Sequence, residues 1–341
     1  FFENTSDLSL YWSLERDGKS VASGVIASLD IAPQAEADYT LKFPKLCKCG
    51  LYYLNLTFKT NVSHEWAEAG HIVREDQIEV SAPAKENFPC ALDGVSDLLL
   101  VTQNDWQIKV KAGDTVYVIN THTGLVDSII SNGKDMLVSP MKPTLWRAPT
   151  DNDRNVKHTW MGASYNRTSS RAYETSYEVT DSCVTIRSTM SVTAIILQRM
   201  MDIEATWTVD AAGTVTCQLD VKKNPEFPVL PRFGLRLFLP KAMENVTYCG
   251  IGPNESYRDK RRAGWHGLFE TNLDALHEDY IRPQENGSHY DCDFVVLDGN
   301  SYQLTAVSTS PFSFNASRYT QEELTDKPHN YELEDSGSAV L

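Results

Sequence analysis

The sequence contains 341 residues, of which 41% are hydrophobic and 10% aromatic, so it has enough apolar surface for at least one independently folded core. Its formal net charge of −15 argues against nucleic acid and anionic membranes as partners, because both bind basic surfaces. No apolar run approaches the ~20 residues that span a bilayer. At about 150 residues per domain, the length predicts two domains, with a single large β-sandwich as the alternative.

The N-terminal part predicts short antiparallel strands. Apolar residues recur at every second position in two segments, which is typical of half-buried strands: Leu8, Leu10, Trp12 and Leu14, then Tyr52, Leu54, Leu56 and Phe58. Between them, Arg16-Asp17-Gly18-Lys19 predicts a hairpin turn in which Gly18 supplies a positive φ. Residues 1–84 therefore predict a small antiparallel β-sandwich.

A change of composition follows this first domain. Residues 82–97 contain Pro83 and Pro89 and show little periodicity, which is typical of a connecting segment. We place the linker at residues 85–100 and the second domain at residues 101–341.

The second domain also predicts antiparallel sheet. Trp106, Ile108 and Val110 should pair with Val116 and Val118 across the Ala112-Gly113-Asp114 turn. Further turns at residues 132–133, 210–213 and 298–300 repeat at a spacing that fits a large sandwich. The fold class is therefore all-β, with two successive β-sandwich domains.

One short helix interrupts this pattern at residues 320–324. Thr320 and Glu323 have the spacing of a capping box, in which the threonine oxygen accepts a hydrogen bond from the main chain at the third helical position.

Cysteine usage indicates free thiols rather than a disulfide framework. Cys183, Cys217 and Cys249 lie in strand-like runs, which suits small buried thiols in a reducing compartment. Cys47-Lys48-Cys49 has the wrong spacing for a zinc knuckle, so we interpret it as a loop thiol pair. The histidines show no H-x-x-x-H spacing, and the sequence predicts no metal site.

Five short motifs stand out from the β-rich background. The densest is W-R-A-P-T-D-N-D at residues 146–153, which combines an aromatic ring, a cation and two carboxylates. The others are W-A-E-A-G-H at residues 66–71, G-I-G-P-N-E-S-Y-R-D at 250–259, Y-I-R-P-Q-E-N-G at 280–287, and F-S-F-N-A-S-R-Y-T at 312–320.

Taken in the order in which they occur along the chain, the five motifs resemble segments of the large lac-type β-galactosidases of glycoside hydrolase family 2. The resemblance covers nearly the whole chain. It implies an immunoglobulin-like sandwich for residues 1–84 and, for residues 101–341, the small-chain β-supersandwich, which is similar to galactose mutarotase and is truncated here at its C-terminus.

The family resemblance also implies what this chain does not contain. Enzymes of the family place both catalytic glutamates in a (β/α)8 barrel that precedes these segments, and this sequence lacks a repeated strand-then-helix pattern over roughly 250 residues. The chain also begins at Phe1 without a methionine and ends in the apolar run Ala339-Val340-Leu341. We therefore expect a C-terminal, non-catalytic fragment.

The resemblance implies a parent enzyme that hydrolyses terminal β-D-galactosides such as lactose with retention. This part would form a wall of the active site and support assembly, with the parent's barrel domain, a galactoside and further copies of the chain as partners. No cofactor is expected in the fragment, since the family resembles Mg- and Na-dependent enzymes with sites mainly in the barrel. The location implied is the bacterial cytoplasm.

The candidate site residues are Arg147, Asp151, Asn152, Asp153, Glu255 and Trp265. Retaining hydrolysis needs two carboxyl groups about 5–5.5 Å apart. On an extended segment, Asp151 and Asp153 would lie about 7 Å apart on one side, and Arg147 would keep both ionised. A loop braced by arginine–carboxylate and Asx hydrogen bonds is the favoured interpretation.

The region around Glu255 allows a second interpretation. Glu255, Tyr257, Arg258 and Asp259, with Trp265 and His266, could hold a sugar by hydrogen bonds and ring stacking, although a tryptophan is more often a core or interface anchor. In the segment 280–287, turn geometry accounts for Asn286-Gly287, while Glu285 and Arg282 could brace a cleft wall.

Two alternative functions remain. A free-standing carbohydrate-binding module predicts an exposed aromatic platform, with Trp160 or Trp265 as candidates. A mutarotase-like epimerase needs a histidine and a glutamate placed as acid and base on the sugar ring, and the sequence shows no N-H-x-x-F signature.

Overall fold

The computed structural model describes residues 3–46, 50–81, 99–194, 196 and 198–341. Within these residues the regular secondary structure is almost entirely antiparallel β-sheet, arranged as several sheets packed in sandwich-like fashion. The prediction of an all-β sandwich fold is confirmed. No helix within these ranges is long and apolar enough to cross a membrane.

The N-terminal strands form one four-stranded sheet in the order β2-β1-β3-β4. Their bounds are Leu8–Arg16 for β1, Lys19–Ile26 for β2, Tyr52–Thr60 for β3 and Ile72–Ser81 for β4. Both segments with a period of two are strands, as predicted. The predicted hairpin joins β1 to β2, with Asp17 at φ 50° and Gly18 at φ 76°.

An irregular segment between β2 and β3 contacts the N-terminal sheet. Between β2 and β3, within the described residues up to 46, the chain forms no strand and packs Phe43 near Trp12, with ring centroids 6.5 Å apart. Leu10, Leu14 and Leu29 are buried in the same domain.

The remaining strands run from Leu100 to Val340. In chain order they are β5 Leu100–Gln103, β6 Gln107–Ala112, β7 Thr115–Asn120, β8 Val126–Ser131, β9 Lys134–Asp135, β10 Ser139–Thr144, β11 Thr168–Val179, β12 Cys183–Ala194, β13 Met201–Asp210 and β14 Val215–Lys223. They continue with β15 Gly234–Pro240, β16 Asn245–Gly252, β17 Trp265–Asn272, β18 Ser288–Gly299, β19 Tyr302–Asn315 and β20 Ser338–Val340.

These strands form four antiparallel sheets, in the orders β5-β6-β7-β8-β9, β11-β12-β13-β14, β10-β15-β20 and β17-β16-β18-β19. The predicted turns at residues 132–133, 210–213 and 298–300 all connect neighbouring strands. Ile108 and Val110 lie on β6 and pair with β7, but their partners are Ile119 and Tyr117 rather than the expected Val118 and Val116. Trp106 precedes β6, pairs with no strand residue of β7 and is exposed.

One apolar core joins these sheets. Buried residues alternate along β12 and β13, with Val184 and Ile186 on one strand and Ile203 and Trp207 on the next. The Trp207 ring nitrogen donates to the carbonyl of Gly124 at 3.0 Å, which ties this sheet to the β7–β8 turn.

Two short helices lie outside the sheets, α1 at Val156–Gly162 and α2 at Gln321–Asp326, with 3-10 turns at Asp151–Asp153 and Asn330–Glu332. The sequence pattern predicts α2 but gives no sign of α1. Thr320 caps α2 by accepting from the Glu323 N–H at 3.1 Å, as its capping spacing predicts.

Some predictions fall on residues outside the described ranges. These are the Cys47-Lys48-Cys49 loop and the linker as far as residue 98; Leu100, the last residue of the predicted linker, begins β5. Of the three strand cysteines, Cys249 is buried as expected, whereas Cys183 is half-buried and Cys217 is exposed. The prediction of buried thiols is therefore wrong for Cys217.

The N-terminal sheet packs directly against β17. A side chain at Gly18 would place its Cβ 2.3 Å from the Cβ of Leu268. Only glycine combines the positive φ of this turn with such a close approach. The β1–β2 hairpin is therefore fitted to the surface of the larger domain.

Candidate functional site

Four of the five sequence motifs converge on one polar cluster. The Asp151 N–H donates to the Gln284 side-chain oxygen at 3.1 Å, and the Glu285 N–H donates to the carbonyl of Ala148 at 3.0 Å. The Gly287 N–H donates to Glu255 at 2.8 Å. Segments 146–153, 250–259 and 280–287, joined through the Asn315 side chain to segment 312–320, thus form a single unit, which we call the motif cluster.

Arg147 and Asp153 form the central ion pair of this cluster. The guanidinium donates twice, from Nε at 3.1 Å and from Nη2 at 2.7 Å, to the two oxygens of the buried Asp153 carboxylate. The N–H and hydroxyl of Thr150 also donate to Asp153, at 3.0 and 3.1 Å. This braced loop is the favoured interpretation of the sequence, and both oxygens of the Asp153 carboxylate accept hydrogen bonds from within the loop.

The backbone here differs from the expected extended segment. Residues 151–153 form a 3-10 turn capped by Thr150, so Asp151 and Asp153 do not share one side of a strand. The expectation of an extended segment was wrong because the capping interaction of Thr150 with Asp153 favours a turn. Asp151 and Asn152 remain exposed at its tip.

Two tryptophans hold this loop in place. The Trp146 ring nitrogen donates to the Thr325 hydroxyl of α2 at 3.0 Å, and its ring meets Trp160 of α1 edge-on, with centroids 6.5 Å apart. The Arg147 guanidinium lies 5.5 Å from the centroid of the Trp160 ring. Trp160 is buried, so the suggestion that it forms an exposed sugar platform is wrong.

Glu255 is held by four donors. Lys260 and Tyr280 bond its Oε1, while Tyr257 at 3.3 Å and the Gly287 N–H bond its Oε2. Burial raises the pKa of Glu255, but the bonds from Lys260, Tyr280 and Gly287 outweigh it and leave the pKa below its ordinary value. Glu255 therefore stays ionised.

Glu285 is braced by a residue that the sequence analysis did not identify. Its buried carboxylate pairs with Arg232, whereas Arg282 is exposed and bonds Gln284 only through its carbonyl, at 3.2 Å. Of the two residues considered as braces of a cleft wall, Glu285 is thus held in a buried ion pair with Arg232, and Arg282 points to solvent. Arg232 lies in an irregular segment before β15, where no motif or periodicity marks it.

An open cleft of about 600 Å³ borders the motif cluster. Its lining includes Arg147, Arg232, Tyr257, Arg258 and Asp259. Arginine guanidinium groups and a tyrosine hydroxyl can donate hydrogen bonds to polar, hydroxyl-rich or anionic groups.

Trp265 lies apart from this cleft. It begins β17, is 42% exposed, and lines a separate groove of about 310 Å³ between the two domains, together with Asn55, Gln77 and Arg262. His266 points away from solvent, and its ring stacks on Tyr53 at 4.7 Å. The structure thus separates Trp265 and His266 from the cluster in which they were considered.

One group of potential metal ligands occurs in the part of the chain that the structure describes. Cys249, His266 and Asp293 place a sulfur, an imidazole nitrogen and a carboxylate oxygen within 4.8 Å of one another. They come from three different strands, so sequence spacing could not reveal them.

Comparison with known proteins relates both domains to one family. Residues 111–341 match the family described as Beta galactosidase small chain, and residues 1–81 match Beta-galactosidase, domain 4. The β-galactosidase of Actinobacillus pleuropneumoniae is 33% identical over 321 residues, which are 94% of this chain and 31% of that protein. For the β-galactosidase of Staphylococcus xylosus the identity is 33% over 244 residues, 71% of this chain and 24% of that protein.

Proposed function

The chain belongs to the β-galactosidase family, and from this premise we propose that it forms a non-catalytic wall of the active site of a β-galactosidase and supports its assembly. The chain spans about a third of the length of the curated relatives it matches most extensively. Hydrolysis of terminal β-D-galactosides with retention is accordingly proposed for the parent enzyme rather than for this chain.

The observation that carries this proposal is the motif cluster. The three segments 146–153, 250–259 and 280–287 are cross-linked by main-chain and side-chain hydrogen bonds into one surface beside an open cleft. Such cross-linking positions groups such as Asp151 and Asn152 on a rigid support, which is what a binding wall requires.

The state of the carboxylates supports a non-catalytic role. A general acid in glycoside hydrolysis needs a raised pKa so that it is protonated at neutral pH. Glu255 has a lowered pKa because its hydrogen-bond donors outweigh burial. Asp153 is fully engaged by Arg147 and Thr150. Glu255 is therefore unsuited to act as the general acid, and the hydrogen bonds that hold Glu255 and Asp153 support their assignment as braces.

Exposed apolar side chains next to the cluster support the proposal of an interface with the rest of the enzyme at this surface. Ile281, inside the fourth motif, is 98% exposed, and Tyr331 is 83% exposed nearby, where Asn330 bonds the carbonyl of Tyr280. Large apolar side chains exposed together are typical of interfaces. We propose that the parent's barrel domain covers Ile281 and Tyr331 and that further copies of the chain complete a homo-oligomer.

A cytoplasmic location is part of the same proposal. The relatives are bacterial enzymes, and Cys183, Cys217, Cys249 and Cys292 are free thiols, which persist in reducing compartments.

One observation favours the carbohydrate-binding module as a second candidate. Trp265 keeps an exposed ring beside polar groups of the groove between the domains, the arrangement in which an aromatic face stacks on a sugar. Galactoside titration, followed by tryptophan fluorescence, tests it with Trp265→Ala against Trp106→Ala, a variant of another exposed tryptophan.

The proposed interface is tested by binding. The purified chain is mixed with the separately expressed barrel portion of its parent, and association is measured by sedimentation. We expect Ile281→Asp to weaken association at least about tenfold, because a charge would be buried without a partner, while Val179→Asp, at another exposed apolar position, binds normally. Equal binding by both variants would overturn the assignment of Ile281 to the interface.

A further inference from the structure

A second polar cluster lies where the N-terminal sheet faces the larger domain. It contains Cys249 on β16, His266 on β17 and Asp293 on β18, three neighbouring strands in the order β17-β16-β18. His266 pairs across the sheet with Ile251, two residues after Cys249, so the alternation of the strands places both side chains on one face. The imidazole Nε2 lies 3.2 Å from the Asp293 carboxylate.

This cluster is largely closed to solvent, and Asp293 is its most exposed member. The exposed fraction is 3% for Cys249 and 6% for His266, while the Asp293 side chain keeps 16%. A thiol, an imidazole and a carboxylate so buried and within 4.8 Å of one another need only small shifts to contact a common ion.

We infer that Cys249, His266 and Asp293 bind one zinc ion. Sulfur, imidazole nitrogen and carboxylate oxygen form the donor set that Zn²⁺ prefers, whereas Mg²⁺ and Ca²⁺ select oxygen ligands. On binding, the Cys249 thiol releases its proton to solvent and ligates as the thiolate. One thiolate and one carboxylate neutralise the two charges of the ion, so the buried centre carries no net charge.

The N-terminal domain provides the outer contacts of this site. The Tyr53 ring stacks on the imidazole of His266 with an interplanar angle of 26°, and the Gln77 carboxamide bonds the main chain of His266. Contacts of this kind fix the orientation of a ligating ring. Bound zinc would therefore stabilise the folded chain at the junction of its two domains.

Zinc binding is measured on the full chain after treatment with a chelator, by titration with ZnCl₂ alone. Cys47 and Cys49 could hold zinc independently, so the readout is the difference between the parent chain and a variant. We expect Cys249→Ser to lose one zinc equivalent, and Cys217→Ser, at an exposed cysteine of another sheet, to lose none. Titration with Co²⁺ adds a spectroscopic readout, a thiolate-to-cobalt charge-transfer band that disappears only in Cys249→Ser.

Asp293→Asn provides an isosteric second variant if Cys249→Ser does not fold. We expect it to weaken zinc binding at least about tenfold, since replacing a direct ligand costs no less than replacing an outer contact, and zinc to raise the Tm of the parent chain more than that of the variant. MgCl₂ should leave both Tm values unchanged. Zinc binding with equal stoichiometry and affinity in parent, Cys249→Ser and Asp293→Asn, or no zinc bound by the parent, would overturn the inference.

Discussion

The Gln77 carboxamide bonds both main-chain groups of His266, a residue 189 positions later in the chain. Its Nε2 donates to the His266 carbonyl at 2.7 Å, and the His266 N–H donates to its Oε1 at 2.8 Å. The same Nε2 donates to Asn55 at 2.8 Å within the N-terminal sheet. One side chain thus connects the two domains in the manner of a neighbouring strand.

Gln77→Glu should weaken this junction. The substitution keeps the shape of the side chain but replaces the donor facing the His266 carbonyl with a carboxylate oxygen. We expect the free energy of unfolding to fall by about 1–3 kcal/mol, the cost of an unpaired buried polar group. Urea denaturation measures it, with Gln103→Glu, an exposed position on β5, as the matched control. Equal denaturation midpoints for the two variants would contradict this role.

Arg147→Ala should destabilise the motif cluster. It removes both bonds to Asp153 and leaves a buried carboxylate without its cation. A loss of about 1.5–3 kcal/mol is expected, as for other hydrogen bonds to charged groups, and Arg147→Lys should restore only part of it because an ammonium lacks the two-pronged geometry. Arg154→Ala, at an exposed arginine beside the same turn, should change stability by no more than about 0.5 kcal/mol. Similar losses in both alanine variants would refute the specific brace.

Glu255 should contribute to the loss of stability in acid. Its pKa in the folded chain lies below the ordinary value of 4.5, so the unfolded chain binds the proton first as the pH falls. The contribution is complete above about pH 4.5 and is lost as the pH falls through the folded-state pKa. Glu255→Gln should therefore lose less stability than the parent between about pH 5 and about pH 3. Thermal unfolding across this range measures the slope, and Glu270→Gln, at an exposed position, should keep the parent's slope.

Thr320→Ala should remove the cap of α2. The Thr320 hydroxyl accepts the Glu323 N–H, and α2 in turn presents Thr325 to Trp146 and Glu322 to Arg236. Loss of such a cap costs about 1 kcal/mol, and Thr320→Ser should recover most of it. Chemical denaturation of the three chains tests this; a serine variant as unstable as the alanine variant would show that the hydroxyl is not the cause.

Local patterns predicted most of the fold. Alternation of apolar residues located strands such as β1, β3 and β6, and the turns at residues 17–18 and 132–133 have the positive φ angles that their glycines and asparagine favour. Helix α1 was missed because its seven residues, Val156–Gly162, bury only Trp160 and so lack a helical repeat.

The site was predictable only where its contacts are local. Arg147 and Asp153 lie six residues apart, so their pairing could be expected from one motif. Arg232 and Glu285 are 53 residues apart, and only the folded sheets bring them together. The same holds for Cys249, His266 and Asp293, which explains why ligand spacing in the sequence predicted no metal site.

The most direct test of the proposed function is hydrolysis of a chromogenic β-galactoside by the purified chain, alone and after mixing with the separately expressed barrel portion of its parent. If the chain forms a non-catalytic wall of the active site, the chain alone should not hydrolyse the substrate. The mixture should hydrolyse it faster than the barrel portion by itself. Hydrolysis by the chain alone would contradict the account and would make Asp151, Asp153 and Glu255 candidates for the catalytic carboxylates.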